Sequence, residues 1–553
     1  MISDFLKRLV PFAWFLPGFL LWAAFPPMGE TADCLFALAP LMWLSRRGTP
    51  GESAKRWFQS GALYWVATLS WMPAIVKNGG PWPLVALGWF ALAVYCAGYF
   101  ALYGWLSARY WRWARGPRRG GHFWRFAGVL FVEPVLWCGI ELARSRFFGG
   151  FAWNHLGVVP ANCGFGAPAA LGGVYLLSAV VVLVNGTAAG IAERVWKVER
   201  SGFPLLRKLG AVETLLAFAV VLGVYRVSSL VASARPPQEV ADNNRQARHL
   251  KVALVQRNFP CVFKEQTQNP YEVYGRLLAN VAELKPDLVV LAESALAEFG
   301  PIDQQGAVGF AQFVRERTGA PLLAGGTRYE DGRTYNSAAL YKDGAIRTYD
   351  KVHLVPFGEF IPGDKLFPAL QKLAPVGSCT PGELKALEFL PGFDGDAIGV
   401  AICYEDTDSA QIRELARRAG LLVFITNDSW FSDSVEAEAH AWQATARAIE
   451  TGLYVVRVGN NGVTGTISPD GRATWLVDSA GRPLVDREGT MLDRVAMRPV
   501  LGEDGGWRGY TTPYAAYGDI PLGTTFALLI VAMILVKYTD NYGKHRAMPL
   551  QVG

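Results

Sequence analysis

The chain carries a succession of apolar stretches long enough to cross a lipid bilayer, then one long polar interval, then a last apolar stretch. A crossing needs roughly 20 residues and tolerates about 17 to 25. Clear candidates occupy 58–76, 82–106, 123–142, 167–191, 209–225 and 520–536. Two shorter stretches, 10–25 and 34–44, contain Pro11, Pro17 and Pro40. Proline frees backbone groups that protein neighbours must satisfy, so these two read as a tight pair of spans or as a re-entrant hairpin. Counting both gives eight spans. Only 18% of the 553 residues are charged and 51% are hydrophobic, against about 25% charged in a soluble domain. That average hides two materials: an apolar, Trp-rich part and an ordinary globular segment. The expected division is a membrane domain at 1–231, a polar linker at 232–247, a globular domain at 248–505, and a tail at 506–553 holding the last span.

The basic residues report orientation rather than nucleic-acid binding, although the net charge is +6. Lys7 and Arg8 precede the first stretch; Arg46, Arg47, Lys55 and Arg56 follow the second; Arg109, Arg112, Arg115, Arg118, Arg119 and Arg125 separate the fourth and fifth. Arg194, Lys197, Arg200, Arg207 and Lys208 separate the sixth and seventh, and Lys537, Lys544 and Arg546 follow the last. The intervening loops hold only Lys77, Arg144 and Arg146. Every second loop is basic, which predicts that both termini face the cytoplasm and that the globular segment lies on the opposite side, in a bacterium the periplasm. No small-residue cleavage site follows the basic N-terminus, so an uncleaved first span is expected. Glu133, inside the fifth stretch, is a functional candidate by default, with a buried ion-pair partner as the plain alternative. The loop 147–157 is aromatic and Gly-rich, which suits interfacial anchoring or a lipid-facing wall. The seven cysteines include no C-x-x-C pair, so neither a zinc site nor a disulfide framework is indicated; a pairing of Cys261 with Cys379 stays open. No metal and no cofactor are expected.

In the globular segment, strand-like runs at 251–256, 287–293, 321–326, 336–341, 397–403, 421–427, 453–459 and 463–468 alternate with amphipathic helical windows at 271–284, 308–319, 408–420 and 436–452, an α/β pattern. Asp331-Gly332, Asp343-Gly344 and Asp470-Gly471 predict hairpins and therefore a mixed sheet. In such sheets ligands gather beyond strand ends. Cys403 closes one apolar strand, Glu293 another, Asn427 a third, and Lys351 follows a hairpin. A thiol attacks a carbonyl efficiently only when a base or cation favours its thiolate. Glu293 could take the proton, and the Lys351 ammonium could stabilise both thiolate and oxyanion. Glu359 could hold the lysine. His353 and His440 read as hydrogen-bonded packing residues. The combination suits acyl transfer.

The order Glu293, Lys351, Cys403 resembles the nitrilase superfamily. The runs Tyr349–Pro362, Ile402–Glu405 and Thr426–Phe431, in a domain with seven spans before it and one after, resemble its membrane-embedded branch, the apolipoprotein N-acyltransferases. That resemblance implies a nitrilase-like αββα sandwich inserted between the helices of an eight-helix membrane domain. It implies Glu293 as base, Lys351 as oxyanion stabiliser and Cys403 as nucleophile, with Glu359, Tyr404 and Glu405 in support. The implied reaction takes a fatty acyl chain from a phospholipid onto the cysteine as a thioester, then passes it to the N-terminal amine of a diacylglyceryl-cysteine apolipoprotein at the bacterial inner membrane. Phe357, Phe360, Phe367, Trp430 and Phe431 are candidates for acyl-chain contacts or a lid, with core packing as the alternative. A monomer is expected. Two rival readings are a membrane-tethered amidohydrolase using the same trio on a small amide, and a non-catalytic receptor or transporter.

Overall fold

A computed structural model describes residues 14–116, 122–198, 211–233, 248–260, 268–361, 378–388, 397–498 and 512–546. The first described elements are α1 (Phe15–Ala23), a 3₁₀ turn at Thr31–Leu35 and α2 (Ala39–Ser45). Helices of nine and seven residues rise only about 13 and 10 Å, far short of a ~30 Å hydrocarbon core. As described, neither helix by itself reaches across that core. Pro40 sits in the first turn of α2, and the side chain of Asn185 accepts from the N–H groups of Leu38 and Ala39 (2.8 and 3.0 Å), a partner for donors that open a helix.

Helix α3 (Pro50–Thr68) starts on a reciprocal cap between Thr49 and Glu52 and stops before a 3₁₀ turn at Met72–Asn78. The stretch expected to span at 58–76 is thus a helix displaced toward the N-terminus. Then come α4 (Trp82–Ala114), α5 (Phe123–Arg144), α6 (Val158–Asn162), α7 (Ala169–Val198) and α8 (Ala211–Ser233). Among the described residues four helices are long and apolar enough to cross a membrane: Trp82–Ala114, Phe123–Arg144, Ala169–Arg194 and Thr214–Val231. The expected count of eight is not met by these residues, because apolar length alone does not reveal where a turn at Trp71 or Gly29 divides a stretch.

Glu133 lies fully buried in α5, just after a π-helical turn at Gly128–Val132. Its carboxylate accepts from Arg46 (2.7 Å), Trp111 (2.8 Å) and Ser107 (3.3 Å), while Arg46 also donates to the Gly186 carbonyl. This is the plain alternative: a saturated ion pair tying α2, α4, α5 and α7 together.

The outer domain contains β1 (Arg248–Gln256), α9 (Pro270–Ala282), β2 (Leu288–Leu291), α10 (Gln305–Thr318), β3 (Leu322–Glu330), β4 (Arg333–Lys342), β5 (Ala345–Asp350), β6 (Leu387–Glu388), β7 (Ala397–Ile402), α11 (Ser409–Ala416), β8 (Leu421–Thr426), α12 (Glu436–Thr451), β9 (Val455–Gly459), β10 (Gly465–Ile467), β11 (Ala473–Trp475) and β12 (Gly489–Met497). They form two six-stranded mixed sheets, in the orders β12-β1-β2-β3-β4-β5 and β11-β10-β9-β8-β7-β6. Alternation along β1 explains the layering. Leu250, Val252 and Leu254 enter the core shared with Val400, Ile402 and Val423 of the second sheet, whereas Ala253 and Val255 pack with Tyr274, Leu278 and Phe310 of α9 and α10. Helices α11 and α12 cover the second sheet, completing an αββα sandwich. Asp331-Gly332 and Asp343-Gly344 have positive φ throughout (50°, 73°, 51° and 77°), the two-residue hairpin geometry that their sequence predicts. The chain ends with α13 (Pro513–Tyr517) and α14 (Ile520–Arg546).

Helix α12 is buried at 14 of its 16 residues, which an ordinary outer helix of a sandwich is not. Ala444 and Ala448 face the sheet core, while Ala439, Ala446 and Ile449 belong to the core of the membrane bundle. Its alanines permit close approach on both sides. The polar ends are matched: Glu450 accepts from the Val174 N–H (2.7 Å) just past the kink at Gly172 and Gly173 of α7, and Arg447 donates to Glu450 and to the Thr407 carbonyl. Further contacts join the same end of the bundle to the domain, between Arg146 and Asp408 and between Asn154 and Gln443.

Removing one member of a buried ion pair leaves the other charge uncompensated. Arg46→Ala is expected to destabilise the bundle by about 3–5 kcal/mol, read as a lower unfolding midpoint in detergent, and an Arg46→Ala/Glu133→Ala double variant should recover part of that loss.

Candidate active site

Two strand ends meet a hairpin end to make the site. Strand β7 is buried from Ile398 to Ile402 and breaks at Cys403, whose φ of 54° turns the chain into a 3₁₀ segment at Cys403–Thr407. A left-handed cysteine costs of order 1 kcal/mol, and it points the sulfur away from the ladder that β7 would otherwise continue. Beyond β2, Glu293 precedes a second such corner at Ser294, φ 61°. Gly325 on the neighbouring strand makes room for it, since a Cβ there would stand 2.6 Å from the Glu293 Cα. Lys351 directly follows β5 and is 1% exposed; its N–H donates to the Asn336 carbonyl (2.8 Å).

The Lys351 ammonium lies 3.0 Å from the Glu359 carboxylate and 3.6 Å from Glu293 Oε1. Asn336 donates to both acids, at 2.8 Å to Glu293 Oε1 and 2.6 Å to Glu359 Oε1. Glu293 Oε2 accepts from the Asn427 N–H (2.9 Å), and Glu359 accepts from the Val355 N–H (2.8 Å). Burial alone would drive the Lys351 ammonium toward neutrality, but Glu359 and Glu293 outweigh it and hold its pKa above the ordinary lysine value. Burial raises the Glu293 carboxyl against the attraction of Lys351, with Glu359 adding to the rise. Burial also pushes the Cys403 thiol far up, with the Glu293 charge acting in the same direction and Lys351 opposing them. The resting group is a neutral thiol beside a carboxylate and an ammonium.

The structure brings Glu293, Lys351, Glu359 and the Cys403 corner together and gives the neighbours different positions. Glu405 is fully buried and accepts from the N–H groups of Ile402 (2.8 Å), Val352 (2.7 Å) and His353 (3.0 Å), the Tyr349 hydroxyl (3.0 Å) and Gln411 (2.7 Å). It binds the cysteine corner to the segment after Lys351. Tyr404 points to the membrane domain: its hydroxyl accepts from the Ala152 N–H (3.2 Å), and its ring lies parallel to those of Phe151 and Trp153. Phe357 is 66% exposed at φ 62°. Phe360 and Trp430 are half-buried, and Phe431 packs edge-on to Trp71 of the bundle (4.7 Å). Phe367 and Cys261 lie outside the described residues.

Sequence reasoning missed Asn336, the amide that spaces the two acids. An Asn at a strand position, four residues beyond a hairpin signal, is the trace it leaves, because strands are poor in Asn. It also missed the contact of Asn78, after α3, whose amide donates to the carbonyls of Ser429 and Trp430 (3.1 and 2.9 Å) and so braces the loop whose Asn427 N–H reaches Glu293. Among the described residues one group has metal-ligand spacing: Cys403, Asp428 and His440, with one donor atom from each within 4.8 Å of the others. Both ring nitrogens of His440 are engaged by carboxylates, Asp428 at 3.0 Å and Asp406 at 3.1 Å, which leaves no ring lone pair for an ion.

Residues 17–187 match the profile of the apolipoprotein N-acyltransferase N-terminal domain, and residues 231–488 match that of the carbon-nitrogen hydrolases. An apolipoprotein N-acyltransferase of Geobacter metallireducens is 30% identical over 477 residues, 82% of this chain and 84% of the relative. One of Azotobacter vinelandii is 30% identical over 560 residues, 97% of this chain and 98% of the relative. Among solved structures, a CN-hydrolase superfamily protein from Xanthomonas campestris is 21% identical, covering 45% of this chain and 91% of its own, at a TM-score of 0.34. With 30% identity sustained over nearly its full length, this chain belongs to the apolipoprotein N-acyltransferase family.

Proposed function

We propose that this protein transfers a fatty acyl chain from a membrane phospholipid, through a thioester on Cys403, to the N-terminal amine of a diacylglyceryl-cysteine apolipoprotein. The observation that carries the reading is the buried Glu293–Lys351–Glu359 cluster beside a cysteine corner whose next residue rests on the aromatic loop of a membrane domain. In the proposed mechanism Glu293 takes the Cys403 proton as the sulfur attacks the ester carbonyl. Lys351, held cationic by two acids, stabilises the oxyanion, a role worth several kcal/mol in a site that excludes water. The C–O bond breaks, Glu293 returns the proton to the departing lysophospholipid oxygen, and the thioester remains. The lipoprotein amine then attacks, Glu293 takes its proton, and the thiolate leaves and is reprotonated.

Both substrates are lipids held in one leaflet, so the site has to sit at a membrane surface. The docked α12 and the Tyr404 stack support that placement. The basic loops alternate with loops that carry Lys77 and Arg146, and those two residues pair with Asp433 and Asp408 of the outer domain. This supports an inner-membrane protein with both termini cytoplasmic and the catalytic domain in the periplasm, divided at 1–231, 232–247, 248–505 and 506–553. A monomer is proposed, and the mechanism calls on no cofactor. Glu405 and Tyr404 act by fixing the corner, and Phe357, Phe360, Trp430 and Phe431 are proposed as lipid or lid contacts.

Incubation with acyl-labelled phospholipid vesicles should label the parent protein through a hydroxylamine-sensitive bond, and Cys403→Ala should carry no label. Turnover of a small amide by a protein that never takes up the label would instead favour hydrolysis. Glu293→Gln should slow thioester formation by about 10²–10⁴-fold. Because burial raises the Glu293 carboxyl, the acylation rate of the parent should fall as pH drops through a midpoint above the usual carboxylate range, and that acid limb should be missing from the residual rate of Glu293→Gln.

A further inference from the structure

Next to Cys403 lies a second charged cluster that the mechanism leaves unused. It is assembled from four elements and excluded from water: Asp406 from the 3₁₀ turn after the nucleophile, Asp428 from the turn after β8, His440 and Glu436 from α12, and Arg457 from β9, none more than 3% exposed. His440 sits at the centre. Its Nδ1 faces Asp428 (3.0 Å) and, within its own helix, Glu436 (3.5 Å), and its Nε2 faces Asp406 (3.1 Å). Arg457 donates to Asp406 and lies 3.6 Å from Asp428. Trp153 of the membrane domain closes the other side, its ring 5.5 Å from the imidazole. A donor atom of Asp428, one of His440 and the Cys403 sulfur all lie within 4.8 Å of one another.

A hydrogen bond from each ring nitrogen to a carboxylate requires the imidazolium. Burial disfavours that form, but Asp406 and Asp428 prevail over it and over Arg457, bringing the His440 pKa up to about 10. Burial and the Asp428 charge drive the Glu436 carboxyl far above its ordinary range, which favours its neutral form. The cluster therefore balances: His440 and Arg457 against Asp406 and Asp428. Of these, Asp428 lies nearest the sulfur in effect, opposing the thiolate. Without the imidazolium the pocket beside the nucleophile would carry one uncompensated negative charge at contact range, where charges act through a low effective dielectric.

We propose that His440 is a positioning residue for the acyl transfer: as a doubly bonded imidazolium it fixes Asp428 and Asp406 and keeps the ground beside Cys403 electrically neutral, so that the thiolate can form. The proposal rests on reading Cys403 as the nucleophile. The groups that set its thiolate are then Glu293 and Lys351 of the catalytic cluster, and Asp428 with its partners His440 and Arg457.

Iodoacetamide alkylation at fixed pH reads the thiolate directly and needs no lipid. The purified full-length protein supplies its own controls: exposed Cys163 normalises reagent reactivity, and buried Cys34, Cys96 and Cys138 stay protected only while the protein is folded. With peptide mapping by mass spectrometry, His440→Gln should alkylate Cys403 about tenfold more slowly than the parent, a shift of one pKa unit. Asp428→Asn should react faster, and the double variant should return toward the parent rate. Mere loosening of the structure would accelerate alkylation in every variant. A His440→Gln protein that protects Cys34 yet alkylates Cys403 as fast as the parent overturns the proposal. If His440→Gln exposes Cys34, the isosteric Asp428→Asn decides, and an unchanged or slower rate there overturns it. Acyl labelling of Cys403→Ala stands apart: continued transfer by that variant would sink the functional reading while leaving the alkylation result intact.

Discussion

An ammonium group removed from water between two carboxylates organises the outer domain. Burying one ion costs several kcal/mol even after the protein relaxes, so Lys351 has to arrive with its counter-charges already in place. Glu359 and Glu293 supply them, and two acids brought to one cation need a further donor between them, which is the Asn336 amide. Each group comes from a different piece of chain: the end of β2, the middle of β4, the end of β5 and the loop beyond it. The register of β3, β4 and β5 must therefore be fixed. Two-residue turns at Asp331-Gly332 and Asp343-Gly344 fix it, pairing Asn336 with Thr327 and Ser337 with Asp350. A slip of one residue would turn Asn336 to the opposite face and leave the two acids without their spacer.

The sulfur corner is held from two directions. From inside the domain, Glu405 takes five donors and fastens the backbone of Ile402 to that of Val352 and His353. From outside, Tyr404 lies flat against Phe151 and Trp153 of the bundle, and Asn78 braces the loop at 429–430. The nucleophile corner and the loop beneath Glu293 are thus both in contact with the membrane domain. Docking of α12, buried on both faces, is what brings those contacts into register, so the geometry of the site belongs to the two domains jointly.

Much of this was legible in the chain itself. The α/β pattern and the mixed sheet follow from the alternating strand-like and helical windows and the hairpin signals, the αββα layering came from the family resemblance, and all four helical windows of the outer domain became helices, at α9, α10, α11 and α12. The trio stood out because each member closes an apolar strand or follows a hairpin, where a polar residue has no packing reason to be. What escaped was everything that depends on a partner distant in sequence. Asn336 and Asn78 act through hydrogen bonds to residues far along the chain. His440 read as a packing residue because nothing local shows that Asp406 and Asp428 converge on it. The boundaries of the apolar stretches were less legible for a different reason: hydropathy integrates over a stretch, whereas Pro73 and the turns near Gly29 divide stretches without making them polar.

The two charged clusters next to Cys403 bear on how one sulfur can serve as nucleophile and then as leaving group. A thiol whose pKa burial holds high is not a standing thiolate; it becomes one when Glu293 takes its proton, which couples attack to the presence of a carbonyl beside Lys351. A strongly basic thiolate is a good nucleophile but a poor leaving group, so the second half-reaction gains from any field that stabilises negative sulfur. The catalytic cluster cannot supply that alone, because Glu293 and Glu359 together offset Lys351. The neutral ground around His440 keeps that deficit from growing. In the proposed mechanism the catalytic cluster moves the proton and the His440 cluster limits the penalty on the charge left on sulfur, a division of labour that explains why a residue so near the nucleophile as Asp428 is matched by an imidazolium rather than left as a bare carboxylate.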